Sequence, residues 1–209
     1  MISVGTVEDW WEISRRYPNL RKDCIGFLKP VGYCFILDQI ERLQGVKRIL
    51  ELGHGFSKNI FEELGNRYEV HGIDDYQALP YFPAEKQWEE YYAEYISHFP
   101  HCHFHRGLVG TGKNDLPTEY FDVVCSVSVL EELPPDVLAD VLADAHRVLK
   151  PGGYFINSFD FMEGPTADLN NYLKLQVEAG FAFEDPVRSP INLFRSDLAN
   201  EDQRTVMHW

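Results

Sequence analysis

The residues of this chain whose types and spacing best suit chemistry are the run Glu51-Leu52-Gly53-His54-Gly55-Phe56-Ser57 and the acid Asp74. Two glycines around one residue let the backbone turn sharply and come within contact distance of a ligand, an approach that a Cβ would obstruct. An acid about 20 residues beyond such a loop, closing the next strand, is placed to accept both hydroxyls of a ribose. The pair suggests an adenosine-containing ligand, against the plain alternative of a tight turn beside a solvated strand end. For proton transfer Glu132 is the first candidate base and His54 the second. The plain alternatives are an exposed acid ahead of a proline-initiated helix for Glu132 and loop packing for His54, because a lone histidine needs a partner before it acts as a catalyst. His98, His101, Cys102, His103 and His105 form a second group. On a strand, positions 101, 103 and 105 share one face and offer three imidazoles to zinc or iron. Their spacing fits no zinc pattern, a half-exposed strand with solvated histidines is the plainer account, and no metal is assigned.

Elements that could position these residues alternate along the chain. Residues 46–52 are a short apolar run stopped by glycine, which reads as a buried parallel strand. A helix over 58–64 follows, with Ser57 at its N-cap and Gly65-Asn66 as its stop. Strands are expected at 68–74, 101–109 and 121–127. Pro134-Pro135 then opens a helix with apolar residues at helical spacing, ended by Pro151-Gly152-Gly153. A strand at 154–159, a helix at 167–179 and strands at 181–184 and 203–208 complete the series. Strands alternating with amphipathic helices imply an α/β fold, with a mostly parallel seven-stranded sheet and helices on both faces. In such a sheet ligands bind outside the carboxyl ends of the strands, where the strand order reverses. Residues 1–33 are expected to form an N-terminal helical cap on a main domain spanning 34–209. Residues 75–100 form an insertion whose Trp88, Tyr91, Tyr92, Tyr95 and Ile96 make an aromatic stripe, more often core than substrate wall.

Four blocks occur in one order: Glu51-Leu-Gly-His-Gly55, Val70-His-Gly-Ile-Asp74, Phe121-Asp-Val-Val-Cys-Ser-Val-Ser-Val-Leu-Glu-Glu132 and Arg147-Val-Leu-Lys-Pro-Gly-Gly153. Together they resemble the class I S-adenosylmethionine-dependent methyltransferases, a Rossmann-like family, over about Val46 to Phe183. The resemblance implies S-adenosylmethionine as cofactor. It implies that Gly53 and Gly55 pack against its methionine and sugar part, that Asp74 accepts its ribose hydroxyls and that Glu51 steadies the loop or meets the ammonium through water. It further implies that Leu108 and Val109 flank the adenine and that Ser126 offers its carbonyl to the ammonium. Ser57 stands where a third glycine is usual, and Leu108 where an acid often meets adenine. These departures keep open a catalytically silent, methyltransferase-like binding module. A nicotinamide-dependent oxidoreductase shares the loop and the distal acid but would want glycine at position 58, which is lysine.

The chain has 209 residues, with 19 Lys plus Arg against 33 Asp plus Glu and a formal charge of −14. That balance argues against nucleic acid or an anionic membrane as a partner and is compatible with neutral or cationic small molecules. The four cysteines lack C-x-x-C spacing and read as reduced thiols. With neither a signal peptide nor an apolar span in evidence, a cytoplasmic methyltransferase acting on a small-molecule or glycan-like acceptor is expected, with a homodimer as one option.

Overall fold

The structure, a computed structural model, describes residues 7–23, 29–76, 85–110, 114–162, 169–183 and 205–208. Parts of the expected cap (1–6 and 24–28) and of the aromatic insertion (77–84) lie outside them. Six strands form one sheet in the order β3-β2-β1-β4-β5-β6: β1 Arg48–Leu52, β2 Glu69–Asp74, β3 His103–Arg106, β4 Phe121–Val127, β5 Leu149–Met162 and β6 Thr205–His208. The first five run parallel, and β6 pairs antiparallel with β5.

The described sheet therefore has five parallel strands and one antiparallel strand, not seven. Residues 181–183 are not a strand, and Glu184 lies outside the described residues. The N–H of Phe181 instead donates to Gln176 O at 3.1 Å, and its ring stacks on Phe155, so the segment is spent closing a helix end. β5 also begins earlier than expected. Leu149 pairs with Phe121 and a register shift follows before Val123 meets Tyr154, so Pro151-Gly152-Gly153 is a kink within the strand rather than the end of a helix alone.

Among the described residues seven helices flank the sheet: α1 Val7–Ile13, α2 Pro18–Asp23, α3 Lys29–Arg42, α4 Asn59–Leu64, α5 Glu85–Ser97, α6 Pro135–Val148 and α7 Leu169–Glu178. Period-two alternation sends Ile49, Val70, Val123, Cys125 and Val127 to one face, where they pack on Ile36, Leu37 and Ile40 of α3, Ile60, Phe61 and Leu64 of α4, and Tyr95 of α5. Leu50, Leu52, Ile73 and Val124 point the other way, onto Leu138, Val141, Leu142 and Ala145 of α6 and Tyr172 of α7. Helix α3 runs unbroken through the expected cap boundary at 33/34. Asp38 of α3, almost fully buried, pairs with Arg16 and with Arg42 and ties the N-terminal helices together. No helix among the described residues is long and apolar enough to cross a membrane.

Two acids fasten the sheet to its surroundings. Asp122 accepts the amides of Lys47 and Arg48 at 2.9 and 2.8 Å and pairs with Lys150; Asp144 accepts Gly110 N–H at 3.0 Å and Asn114 Nδ2 and Arg147 Nε, both at 2.6 Å. Burial alone would raise both carboxyls, yet these donors hold each below its ordinary value. A lowered folded pKa gives stability that is fully present above the unfolded value, about 4, and lost as pH falls toward the folded one. Denaturant melts from pH 7 to pH 2 should show stability falling steeply below about pH 4, and Asp144→Asn should make that fall shallower. An equal fall in the variant would contradict this.

Candidate functional site

In this sheet the order reverses between β1 and β4, and the crevice outside their carboxyl ends is where an open α/β sheet binds ligands. The loop leaving β1 borders it. Gly53 and Gly55 both take left-handed backbone conformations, φ 66° and 56°, which side chains other than glycine adopt only with strain. A Cβ on Gly53 would also lie 2.7 Å from Val129 Cγ1, so the loop passes that close to the segment leaving β4. Gly53 N–H donates to Ile73 O at 2.9 Å. Asp74 is turned toward the loop: its Oδ2 accepts Gly55 N–H at 2.8 Å and its Oδ1 accepts Tyr76 N–H at 2.6 Å. A carboxylate oxygen has two acceptor positions, so this partly exposed group still has capacity for hydroxyl donors.

The loop after β3 adjoins this aspartate, because Gly107 N–H donates to Asp74 O at 3.0 Å. Leu108 is half exposed and Val109 buried. Gly53, Gly55, Asp74, Leu108 and Val109 are thus brought to the carboxyl ends of three adjacent strands. Glu51 is buried within β1, and Tyr33 of α3 donates to its Oε1 at 2.8 Å. Burial pushes the Tyr33 hydroxyl well above its ordinary pKa, so it remains a donor.

Ser126 lies near the end of β4, inside the ladder between Leu52 and Asn157, with its hydroxyl donating to Leu52 O at 3.3 Å. The chain leaves the sheet two residues later at Ser128, which has φ 51° and donates its N–H to Ser158 O at 2.8 Å. The Oγ atoms of Ser128 and Ser158 are sealed from solvent and have no hydrogen-bond partner among the described residues. Buried hydroxyls of this kind beside a crevice fit a ligand with polar groups of its own, as the amino-acid end of S-adenosylmethionine has.

The two candidate bases separate. Glu132 is exposed, in the 3-10 turn Leu130–Glu132 that follows β4 on the crevice side of the sheet. His54 is buried beneath the loop. Its Nε2 lies 3.0 Å from Tyr76 Oη and its Nδ1 3.3 Å from Tyr95 Oη, and its ring stacks on Tyr95 and meets Phe61 edge-on. A Cβ on Gly72 would sit 2.7 Å from His54 Cδ2, so the ring fills the space that this glycine leaves on β2. Both ring nitrogens lie within hydrogen-bond reach of tyrosine hydroxyls of the aromatic cluster. His54→Ala should lower unfolding free energy by about 2–4 kcal/mol in denaturant melts, leaving the pH profile of any activity unchanged. Loss of one limb of that profile would give it a catalytic role.

The aromatic stripe of α5 also serves packing at its inner end: Tyr95 is buried among His54, Phe56, Phe61, Phe99 and Phe104, and its hydroxyl donates to Ser57 O. Tyr91, half exposed, meets Phe56 edge-on. Tyr33, Tyr76, Ser128 and Ser158 were not among the sequence candidates. Tyr33 lay in the presumed cap, and a left-handed Tyr76 or Ser128 leaves no compositional trace.

The methyltransferase domain family model matches residues 50–157, more than half of the chain. The chain belongs to this family, the class I S-adenosylmethionine-dependent methyltransferases, and S-adenosylmethionine is the cofactor that this membership indicates. A nicotinamide cofactor is set aside by it. Among solved structures, a TehB-like SAM-dependent methyltransferase from Corynebacterium glutamicum is similar at 18% identity and TM-score 0.54, covering 96% of this chain and 97% of that one. An arsenic(III) S-adenosylmethionine methyltransferase from Chlamydomonas reinhardtii is similar at 20% identity and TM-score 0.55, covering 78% of this chain; the chain spans 63% of that protein's length. A Haemonchus contortus phosphoethanolamine N-methyltransferase 2 in complex with S-adenosyl-L-methionine is similar at 14% identity and TM-score 0.56, covering 83% and 41%. At these identities the likeness concerns the fold. No curated protein matches the chain.

Proposed function

We propose that the chain is an active methyltransferase that transfers the methyl of S-adenosylmethionine to a small-molecule or glycan-like acceptor in the cytoplasm. The observation that carries this reading is the clamp of Asp74 on Gly55, which holds the left-handed glycine loop against the crevice and leaves a carboxylate at its rim. S-adenosylmethionine, when bound, supplies a methyl group activated by a sulfonium. The chain's own work is to hold and orient. Gly53 and Gly55 admit close approach, Asp74 accepts ribose hydroxyls, and Leu108 and Val109 offer apolar surface to the adenine. Because a sulfonium carries its own driving force, near-attack positioning is the main contribution left to the protein. Glu132, exposed past β4, is the group proposed to contact the acceptor or take its proton. The formal charge of −14 favours neutral or cationic acceptors over phosphate-rich ones.

The test is incubation of the purified chain with methyl-labelled S-adenosylmethionine and fractionated small-molecule extract. Label moving into a small, protein-free product supports the reading; donor binding without transfer to any fraction overturns it. The second outcome is what the silent-module reading expects.

A further inference from the structure

We propose that Glu69, His71 and His103 form a site for one divalent transition-metal ion of the zinc type, at the amino end of the sheet and away from the donor crevice. β2 and β3 run parallel with His71 in register with His103, so the two side chains share a face, and Glu69, two residues earlier on β2, shares it too. The rings of His71 and His103 stack with centroids 4.4 Å apart and planes 25° apart. One ligand atom from each of the three residues lies within 4.8 Å of the other two. Two ligands on one tetrahedral zinc stand about 3.3 Å apart, given metal–ligand distances near 2.0–2.1 Å, so closing on an ion needs movements of about 1 Å.

The groups behind these three residues are arranged as a metal site's outer contacts are. His105 Nε2 lies 2.9 Å from His71 Nδ1. With His71 Nδ1–H donating to His105, its Nε2 lone pair is left for the ion, and that Nε2 lies 3.1 Å from Glu69 Oε1, a contact the ion would replace. Tyr120 donates to Glu69 Oε1 at 2.7 Å and Arg48 Nε to Oε2 at 3.2 Å, fixing the carboxylate's orientation. His71 is almost fully buried and packs edge-on against Phe121. Two imidazoles and one carboxylate suit zinc, nickel, cobalt or copper and are poor for calcium or magnesium, which prefer all-oxygen shells. Among the described residues β3 is an edge strand paired with β2 alone, and the ion would cross-link the two. The spacing 101, 103, 105 is not the source of the site: His101 lies before β3 and is exposed, and the two other ligands, Glu69 and His71, come from β2.

The experiment uses tag-free, metal-stripped full chain titrated with Zn²⁺ alone in competition with a chromophoric chelator. One ion per chain is expected. His103→Ala, at an exposed position where folding is not at stake, and Glu69→Gln should each weaken it by about 10-fold or more, while His98→Ala leaves it unchanged. Cobalt(II) in place of zinc should give the visible absorption of a four-coordinate N/O site, lost in His103→Ala. Absence of saturable binding, or binding that survives both His103→Ala and Glu69→Gln, would overturn the proposal and leave the cluster as a hydrogen-bonded strand pair.

Discussion

Asp74→Ala is expected to weaken S-adenosylmethionine binding by about 100-fold. The carboxylate is proposed to accept two ribose hydroxyls, and hydrogen bonds to a charged partner contribute about 1.5–3 kcal/mol each, so removing both costs at least two factors of ten. The same side chain orders the loop through the amides of Gly55 and Tyr76, and their loss adds disorder to the site. Asp74→Asn keeps the side chain's size but only one acceptor oxygen. That oxygen can serve one of the two backbone N–H groups while the NH2 faces the other, so stability should fall by about 1–3 kcal/mol, and donor affinity by about 10-fold or more because the charge and one acceptor are gone. Calorimetric titration gives both affinities, and denaturant melts give the stabilities. Affinity of Asp74→Ala within threefold of the parent would remove the aspartate from the donor site.

Gly110→Ala should be the most damaging single methyl added to the chain, costing about 3 kcal/mol or more. Gly110 has φ 89°, and a left-handed conformation costs a non-glycine residue about 1–2 kcal/mol. Its added Cβ would fall 2.5 Å from Val141 N and 2.7 Å from Asp140 C, backbone atoms of α6 that cannot rotate away. Relief therefore requires moving a helix whose Leu138, Val141 and Leu142 sit in the core, and overpacking of that kind costs a further 1–3 kcal/mol or so. It would also strip Asp144 of the Gly110 amide and shift Val109, so donor affinity should fall with stability. Gly45→Ala is the control: Gly45 has φ 76° but nothing within 4 Å of an added Cβ, so only the conformational cost of about 1 kcal/mol remains. Equal losses in urea melts of the two variants would show that the loop after β3 does not press on α6.

The apolar strand 46–52, its glycine stop and the acid ending the next strand were legible because a buried parallel strand is a short apolar run and a tight loop needs glycine. The two-faced core followed from period-two alternation, as Ile49 and Leu50 separate cleanly. Three features were not legible. Phe181 looks like a strand residue by composition, yet stacking on Phe155 fixes it as a helix end. The end of β4 is set by where Ser128 turns left-handed, which Ser-Val-Ser-Val does not announce. The pairing of His71 with His103 likewise depends on the register of β2 and β3, which no spacing within one strand reveals.

The crevice bordered by Gly53, Gly55 and Asp74 is proposed to hold an adenosyl sulfonium. The most direct measurement is calorimetric titration of the intact chain with S-adenosylmethionine and its demethylated product, S-adenosylhomocysteine. One site per chain of micromolar or tighter affinity for either, and competition between them, is the predicted result; absence of heat for both at concentrations that would reveal micromolar binding contradicts the account.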